Sequence, residues 1–272
     1  MFRRPHRRPG WFRGLLLAAS LLVPGVAWAL SLTVAPGTVD VVVPAGSSEQ
    51  VYIDVGNGGQ TPLEVRAYLF DWWHEAGQQQ FPPPGTVERS AALWSSVVPA
   101  RLTLDAKSRD RLILVVAPPA DAIGGFFAVV FVDAAAVPNP EAAPATTLGL
   151  SARVGVLVAV RVQGTGNDAL VVAGVEVRPP TESTPLEVSA QVRNTGDVHL
   201  KPETRVVVLD GDEQVRAKLA ERHPIVLPGQ DASLESQWGG ELEPGAYTAL
   251  VTVVFGEGQA TTVEHVFAVG TP

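Results

Sequence analysis

The chain has 272 residues, a length that fits one or two domains. A hydrophobic share of 46 % can fill real cores, and the absence of cysteine excludes disulfides, zinc–thiolate sites and a cysteine nucleophile. The formal net charge of −8 repels phosphate backbones and argues against nucleic acid as a partner.

The chain begins with a positive stretch, Arg3, Arg4, Arg7, Arg8 and Arg13, followed by an apolar run from Gly14 to Val26 interrupted by Pro24 and Gly25. Ala27-Trp28-Ala29 satisfies the small-x-small cleavage rule, so residues 1–29 read as a secretory signal peptide cut before Leu30. The apolar run is shorter than the roughly 20 residues that span a bilayer; an uncleaved anchor is the alternative. Cleavage removes five arginines and no acid, which takes the net charge from −8 to −13. No cysteine follows the cut to carry a lipid, and no later apolar stretch is long enough for a transmembrane helix. The mature chain is expected in the periplasm or outside the cell, with no membrane insertion after cleavage.

From Leu32 onward the pattern is short alternating runs punctuated by Gly and Pro, which predicts an all-β sandwich class. Leu32 to Val43 holds two short strands broken at Pro36-Gly37. Gln50 to Val55 is a strand closed by Asn57-Gly58-Gly59, a turn in which Asn and Gly tolerate positive φ. Leu63 to Phe70 alternates and runs into Asp71-Trp72-Trp73, and Glu75 to Gly85 reads as a polar, Pro-rich loop. Leu93 to Val98, Arg101 to Leu104 and Arg111 to Val116 are further strands. Gly125 to Val132 is nearly all apolar and reads as a buried central strand. Asp133 to Thr147 is Ala/Pro-rich and is expected to be a loop.

The stretch from Thr146 to Val162 organises the rest. Its even positions from Leu148 to Val162 are all apolar, and the odd ones are mostly small or polar, which is the period of a strand with one apolar face. It is long for a strand, with a bend or bulge expected at Gly155. Two readings stand: a core strand, or a ridge whose Leu148, Leu150, Ala152, Val154, Val156, Val158 and Val160 are offered to another protein.

Residues 164–168 form the candidate linker between domains at 30–163 and 169–272. The second half holds seven short strands, Leu170–Val177, Leu186–Arg193, Arg205–Leu209, Gln214–Leu219, Ser233–Trp238, Tyr247–Phe255 and Thr261–Val269, an immunoglobulin-like pattern. Both halves carry a strand that ends in Asn with a glycine just after it, Asn57 with Gly58 or Gly59 and Asn194 with Gly196. The fold expected is therefore all-β, two immunoglobulin-like β-sandwich domains in tandem after a signal peptide.

The segments VYIDVGN, TPLEVRAYLFDW, WSSVVPARLTLDAKSRDRLILVV and GGFFAVVFVD, from Val51 to Val132, resemble in order the periplasmic pilus-assembly chaperones and their wider immunoglobulin-like superfamily. The resemblance covers roughly half of the mature chain. It implies two sandwiches set at an angle, export to the periplasm, and a last strand of the first domain that donates alternating apolar residues to an incomplete subunit. Leu148 to Val160 occupy that place, and the loop Asp133 to Thr147 resembles the family's mobile loop. In the family a basic residue on an early strand and another on the donor strand clamp a subunit's terminal carboxylate. Here the early strand LTVAPGTVDVVV carries none, and Arg153 and Arg161 are the candidate basic anchors. Ala120 to Gly125 replaces the family's acidic, aromatic signature, and the second half looks more like a bacterial adhesive or filler domain.

No catalytic constellation is legible. The five His have no metal-ligand spacing, no HExxH or G-x-S-x-G is present, and the Gly pairs lack the Lys-Ser/Thr of a phosphate loop. His199 reads as a turn residue, and Asp210, Asp212 and Glu213 as a solvated hairpin tip. Trp72 and Trp73, adjacent in sequence, should face opposite ways, leaving one to cover the loop or face solvent. The expectation is a non-enzymatic exported protein without catalytic, cofactor or metal residues. It would bind envelope or pilus-like subunits by strand pairing, with self-association as a way of covering the same edge. The alternatives are a structural or adhesive envelope module in which the strand is internal, and a carbohydrate binder that uses Trp72 and Trp73.

Overall fold

The computed structural model describes residues 30–75, 78–137, 151–181 and 183–270. The signal-like segment 1–29, most of the Ala/Pro-rich loop, and Leu148 and Leu150 lie outside the described residues. No described helix is long and apolar enough to cross a membrane.

The first sandwich is built from β1 (Leu32–Ala35), β2 (Thr38–Val43), β3 (Glu49–Asn57), β4 (Leu63–Asp71), β5 (Trp73–Glu75), β6 (Gln78–Gln80), β7 (Ser95–Val98), β8 (Arg101–Leu104), β9 (Arg109–Val116), β10 (Gly125–Ala136) and β11 (Ser151–Val162). One sheet has the order β1-β3-β9-β7, the other β2-β11-β10-β4-β8, and β5 and β6 form a separate hairpin. All pairs are antiparallel except β2 with β11, which is parallel. Period-two alternation sends Ile53, Val55, Leu112, Leu114 and Val116 of the first sheet against Val65, Val130, Val132, Val156 and Val158 of the second, in one sealed core. Each such side chain, fully buried, contributes about 1.5–3 kcal/mol of transfer free energy.

The second sandwich comprises β12 (Leu170–Arg178), β13 (Leu186–Asn194), β14 (Glu203–Asp210), β15 (Val215–Arg222), β16 (Asp231–Trp238), β17 (Gly245–Phe255) and β18 (Gln259–Val269). Its sheets run β12-β13-β16 and β15-β14-β17-β18, around a core that includes Leu186, Val208, Leu234, Ala249 and Val253. The chain is thus all-β, with two immunoglobulin-like sandwiches.

Several local expectations are corrected. The stretch after Asp71 is not all loop, because Trp73 pairs with Gln80 and Glu75 with Gln78. A 3-10 turn at Ala92–Trp94 precedes β7. β10 runs on to Ala136, since Asp133 to Ala136 still pair with β4. The break at Gly155 is absent: β10 and β11 hold register from Gly125↔Arg161 to Ala135↔Ser151. A Cβ at Gly155 would lie 3.3 Å from the Phe131 ring, so the glycine makes room for an aromatic neighbour. The two Asn turns also work differently. Neither Asn57 nor Asn194 has positive φ; each acts through its side chain.

A third apolar cluster sits on the outer face of the five-stranded sheet, where the sandwiches meet. Trp72, Phe127, Val129 and Ala159 of the first domain pack with Leu227 of the second, flanked by Phe70, Trp73, Phe81, Phe131 and Ile225. Trp72 is 1 % exposed and Trp73 half-buried. A sugar-stacking platform needs an open ring face, and Trp72 has none.

A half-open strand as the candidate functional site

β11 has two neighbours along only half its length. β10 accompanies it from Ser151 to Arg161. On the other side β2 begins at Thr38↔Leu157 and ends at Val43↔Val162. The cause lies in the segment that leads into β2. Pro36 has no N–H to give a ladder, and the chain changes sheets at Pro36-Gly37. β1 pairs with β3 in the opposite sheet; only β2 lies beside β11. Among the described residues, 151–156 therefore have no strand on their outer border. Such a border presents unpaired N–H and C=O groups, a template for another chain.

The even-numbered row divides at the same point. Val156, Val158 and Val160 are 0 % exposed and belong to the first core. They are not offered to a partner: the facing sheet closes over all three, and β2 flanks Val158 and Val160 besides, which corrects the expectation for these three residues. Ala152 and Val154 are half-buried, and neither joins the apolar residues that make or flank that core.

The two candidate basic anchors have separate fates. Arg153 lies on the outer face, where Nε donates to Asp133 Oδ1 at 2.7 Å and a terminal nitrogen to Oδ2 at 3.0 Å. Its guanidinium also covers the rings of Phe131 and Tyr68, at 5.3 and 5.8 Å. The hydrogen bond from Arg153 outweighs partial burial and holds the Asp133 carboxyl below its ordinary range, helped by the Tyr68 hydroxyl, which donates to Oδ2 at 3.0 Å. Arg161 faces the domain junction, where Asp168 takes its guanidinium in two hydrogen bonds of 2.7 and 3.2 Å. It locks the linker onto β11 and is not presented to an incoming ligand.

Sequence reasoning missed the polar contact between the sandwiches. Asp40, on β2, meets His199 Nε2 at 3.0 Å and accepts from Lys201 Nζ. His199 is only 5 % exposed and presents its ring edge-to-face to Phe127, so it is an interdomain contact and not a simple turn residue. Partial burial alone would raise the Asp40 carboxyl. Hydrogen bonds and charge from His199 and Lys201 prevail and hold it well below the usual carboxylate range. The His199-Leu200-Lys201 alternation places both side chains on one side of the chain, a signal visible in sequence; their acidic partner, in the other domain, is not. At the acidic hairpin tip, Asp210 accepts the N–H groups of Asp212 and Gln214, each at 2.9 Å, and the Arg216 Nε. Its carboxylate closes its own turn.

No protein-family model matches the sequence, and no curated protein matches it as a relative. Among solved structures, the YadV chaperone is similar at 13 % identity over 87 % of this chain and 99 % of its own, with a TM-score of 0.43. The class 5 fimbriae chaperone CfaA is similar at 11 % identity over 89 % of this chain and 100 % of its own, TM-score 0.45. A chain of the Salmonella enterica SafA pilin–SafB chaperone complex is similar at 16 % identity over 89 % and 97 %, TM-score 0.42. These three solved structures are fimbrial chaperones or contain one, all at low identity.

Proposed function

We propose that this protein binds partner proteins by strand addition along the open border of β11, in the manner of an assembly chaperone. The observation that supports it is the mismatch of neighbours: β10 pairs with β11 from Ser151, while β2 pairs only from Leu157. A partner segment entering beside 151–156 would extend the line of β2, gain main-chain hydrogen bonds, and meet Ala152 and Val154. Leu148 and Leu150, in the preceding stretch, continue the same alternation in sequence. The partner we assign is an envelope or pilus-like subunit in the periplasm, reached by way of the signal-like segment 1–29.

The partially sealed row decides which test is clean. An Asp at Val156 or Val158 would put a charge in the core and unfold the domain. Val154→Asp, alone or with Ala152→Asp, alters only the open half. The expected result is loss of a co-purifying envelope protein from periplasmic extract while the melting temperature stays near that of the parent. A partner retained by a folded Val154→Asp protein sinks the reading. The burial of Val156, Val158 and Val160 favours the second reading, a structural or adhesive module with β11 internal. It expects Val154→Asp to melt the fold and no client to be held.

A further inference from the structure

Three arginines share one row on the outer face of the five-stranded sheet. Arg66 on β4 is the register partner of Arg101 on β8 and of Asp133 on β10, and Asp133 is the partner of Arg153 on β11. Directly opposed side chains have Cβ atoms about 4.5–5.5 Å apart, so the row Arg101, Arg66, Asp133, Arg153 crosses roughly 15 Å of sheet. Asp133 is the one acid in it, and its two oxygens are committed to Arg153 and Tyr68. Among the described residues, Arg66 and Arg101 take part in no ion pair and donate no side-chain hydrogen bond. Glu64 stands one row away, opposite Thr103, and pairs with neither.

Like charges directly opposed across strands are unfavourable, yet here Arg66 and Arg101 are opposed, and the one acid in their row, Asp133 beside Arg66, takes its hydrogen bonds from Arg153 and Tyr68, in a chain whose net charge is negative. A depression of about 910 Å³ runs over the row, between these arginines and the next row of Glu64, Ala135 and Ser151, and reaches β11 at Ala152, on its open border. The Tyr68 ring is flanked by Arg66, 5.4 Å from its centroid, and by Arg153 at 5.8 Å, which orders both guanidiniums before any ligand arrives. Planar forked donors of this kind match carboxylates in bidentate geometry.

We propose that this row is a carboxylate-recognition site for an acidic peptide segment of the strand-adding partner, which enters at the open border of β11 and crosses the outer face towards β8; the inference rests on the strand-addition reading. It selects among partners by charge, since an exposed apolar strand alone is matched by too many others.

The test uses the full chain and two fluorescein-labelled octapeptides, one rich in Glu and its counterpart with Gln at those positions, followed by anisotropy at low salt. The Glu peptide is expected to bind at least tenfold more tightly. The exposed double variant Arg66→Gln/Arg101→Gln should bind both peptides equally, with an unchanged melting temperature. Equal binding by the parent protein, or an unchanged preference in the double variant, overturns the proposal. Displacement of the Glu peptide by an equal concentration of inorganic phosphate also overturns it, because the site would then read free anions. The two readings fail separately. A client retained by Val154→Asp with the Glu preference intact sinks strand addition and with it the route of entry, leaving only an acidic-peptide site on the arginine row, and a client lost by that variant with no Glu preference in the parent sinks the arginine row alone.

Discussion

At the scale of single residues, the side chains that hold loops to sandwiches are two asparagines in equivalent places. Asn57 donates from Nδ2 to the carbonyls of Thr61, Leu104 and Asp105, and its Oδ1 accepts from the Gly59 N–H at 2.9 Å. Asn194 repeats the device in the second domain, donating to the carbonyls of Val198 at 2.8 Å and Val226 at 2.9 Å while Gly196 N–H donates to its Oδ1 at 3.0 Å. Both are buried, and the Val198 and Val226 carbonyls that Asn194 ties are buried with it, so those two have no water to turn to. Asn194→Ala is expected to cost about 1–3 kcal/mol in chemical denaturation, the penalty for buried groups left unpaired. Asn194→Asp should cost more, since it turns an acceptor towards two carbonyl oxygens. A loss below about 0.5 kcal/mol in both variants would show that the loops are held elsewhere. The repeated Asn with a following glycine was visible in the sequence as a turn. Its work as a three- or two-way tie was not, because the carbonyls it reaches lie up to 48 residues away.

At the scale of elements, β11 is one strand with two energetic halves. Val158 faces the sealed core beside β2, whereas Val154 lies before β2 begins. Val158→Ala should therefore destabilise the protein by about 2 kcal/mol through lost transfer energy and a residual cavity, and Val154→Ala by less than about 0.5 kcal/mol, as at a surface position. Equal losses in urea titrations of the two variants would mean that the open half is as well covered as the closed one. The period-two alternation made the strand, its apolar face and most of its neighbours legible, because alternation is a local property of the chain. Where the strand stops being covered is not local. It is set by the sheet switch at Pro36-Gly37, over a hundred residues earlier in sequence, and by the length of β2 beyond it. The same limit hid the β5–β6 hairpin, whose polar Gln78–Gln80 run has no apolar face to mark it as a strand.

At the scale of the whole molecule, the sandwiches are joined by an apolar patch bordered by charge. Trp72, Phe127 and Leu227 supply the patch, and the Gly125 N–H donates to the Asp197 carbonyl across the joint at 2.8 Å. Gly166, at φ +91°, lets the linker pass so close that a Cβ would stand 2.5 Å from a Val198 methyl. Around this close fit Asp40 faces His199 and Lys201, with Arg161 and its partner Asp168 alongside. Because the folded Asp40 carboxyl titrates below its unfolded value, the unfolded chain binds the proton first as acid is added. The contact therefore stabilises the protein fully above the ordinary carboxylate range, near pH 4, and its contribution declines as pH falls from there towards the folded value. Asp40→Asn removes that dependence. The stability gap between parent and variant should be widest near neutrality and narrow steadily below about pH 4, as read from urea unfolding at a series of pH values. A gap that stays constant into acid would mean that the Asp40 carboxylate carries no stabilising charge at the joint, leaving the orientation of the second sandwich to apolar packing and the glycine fit.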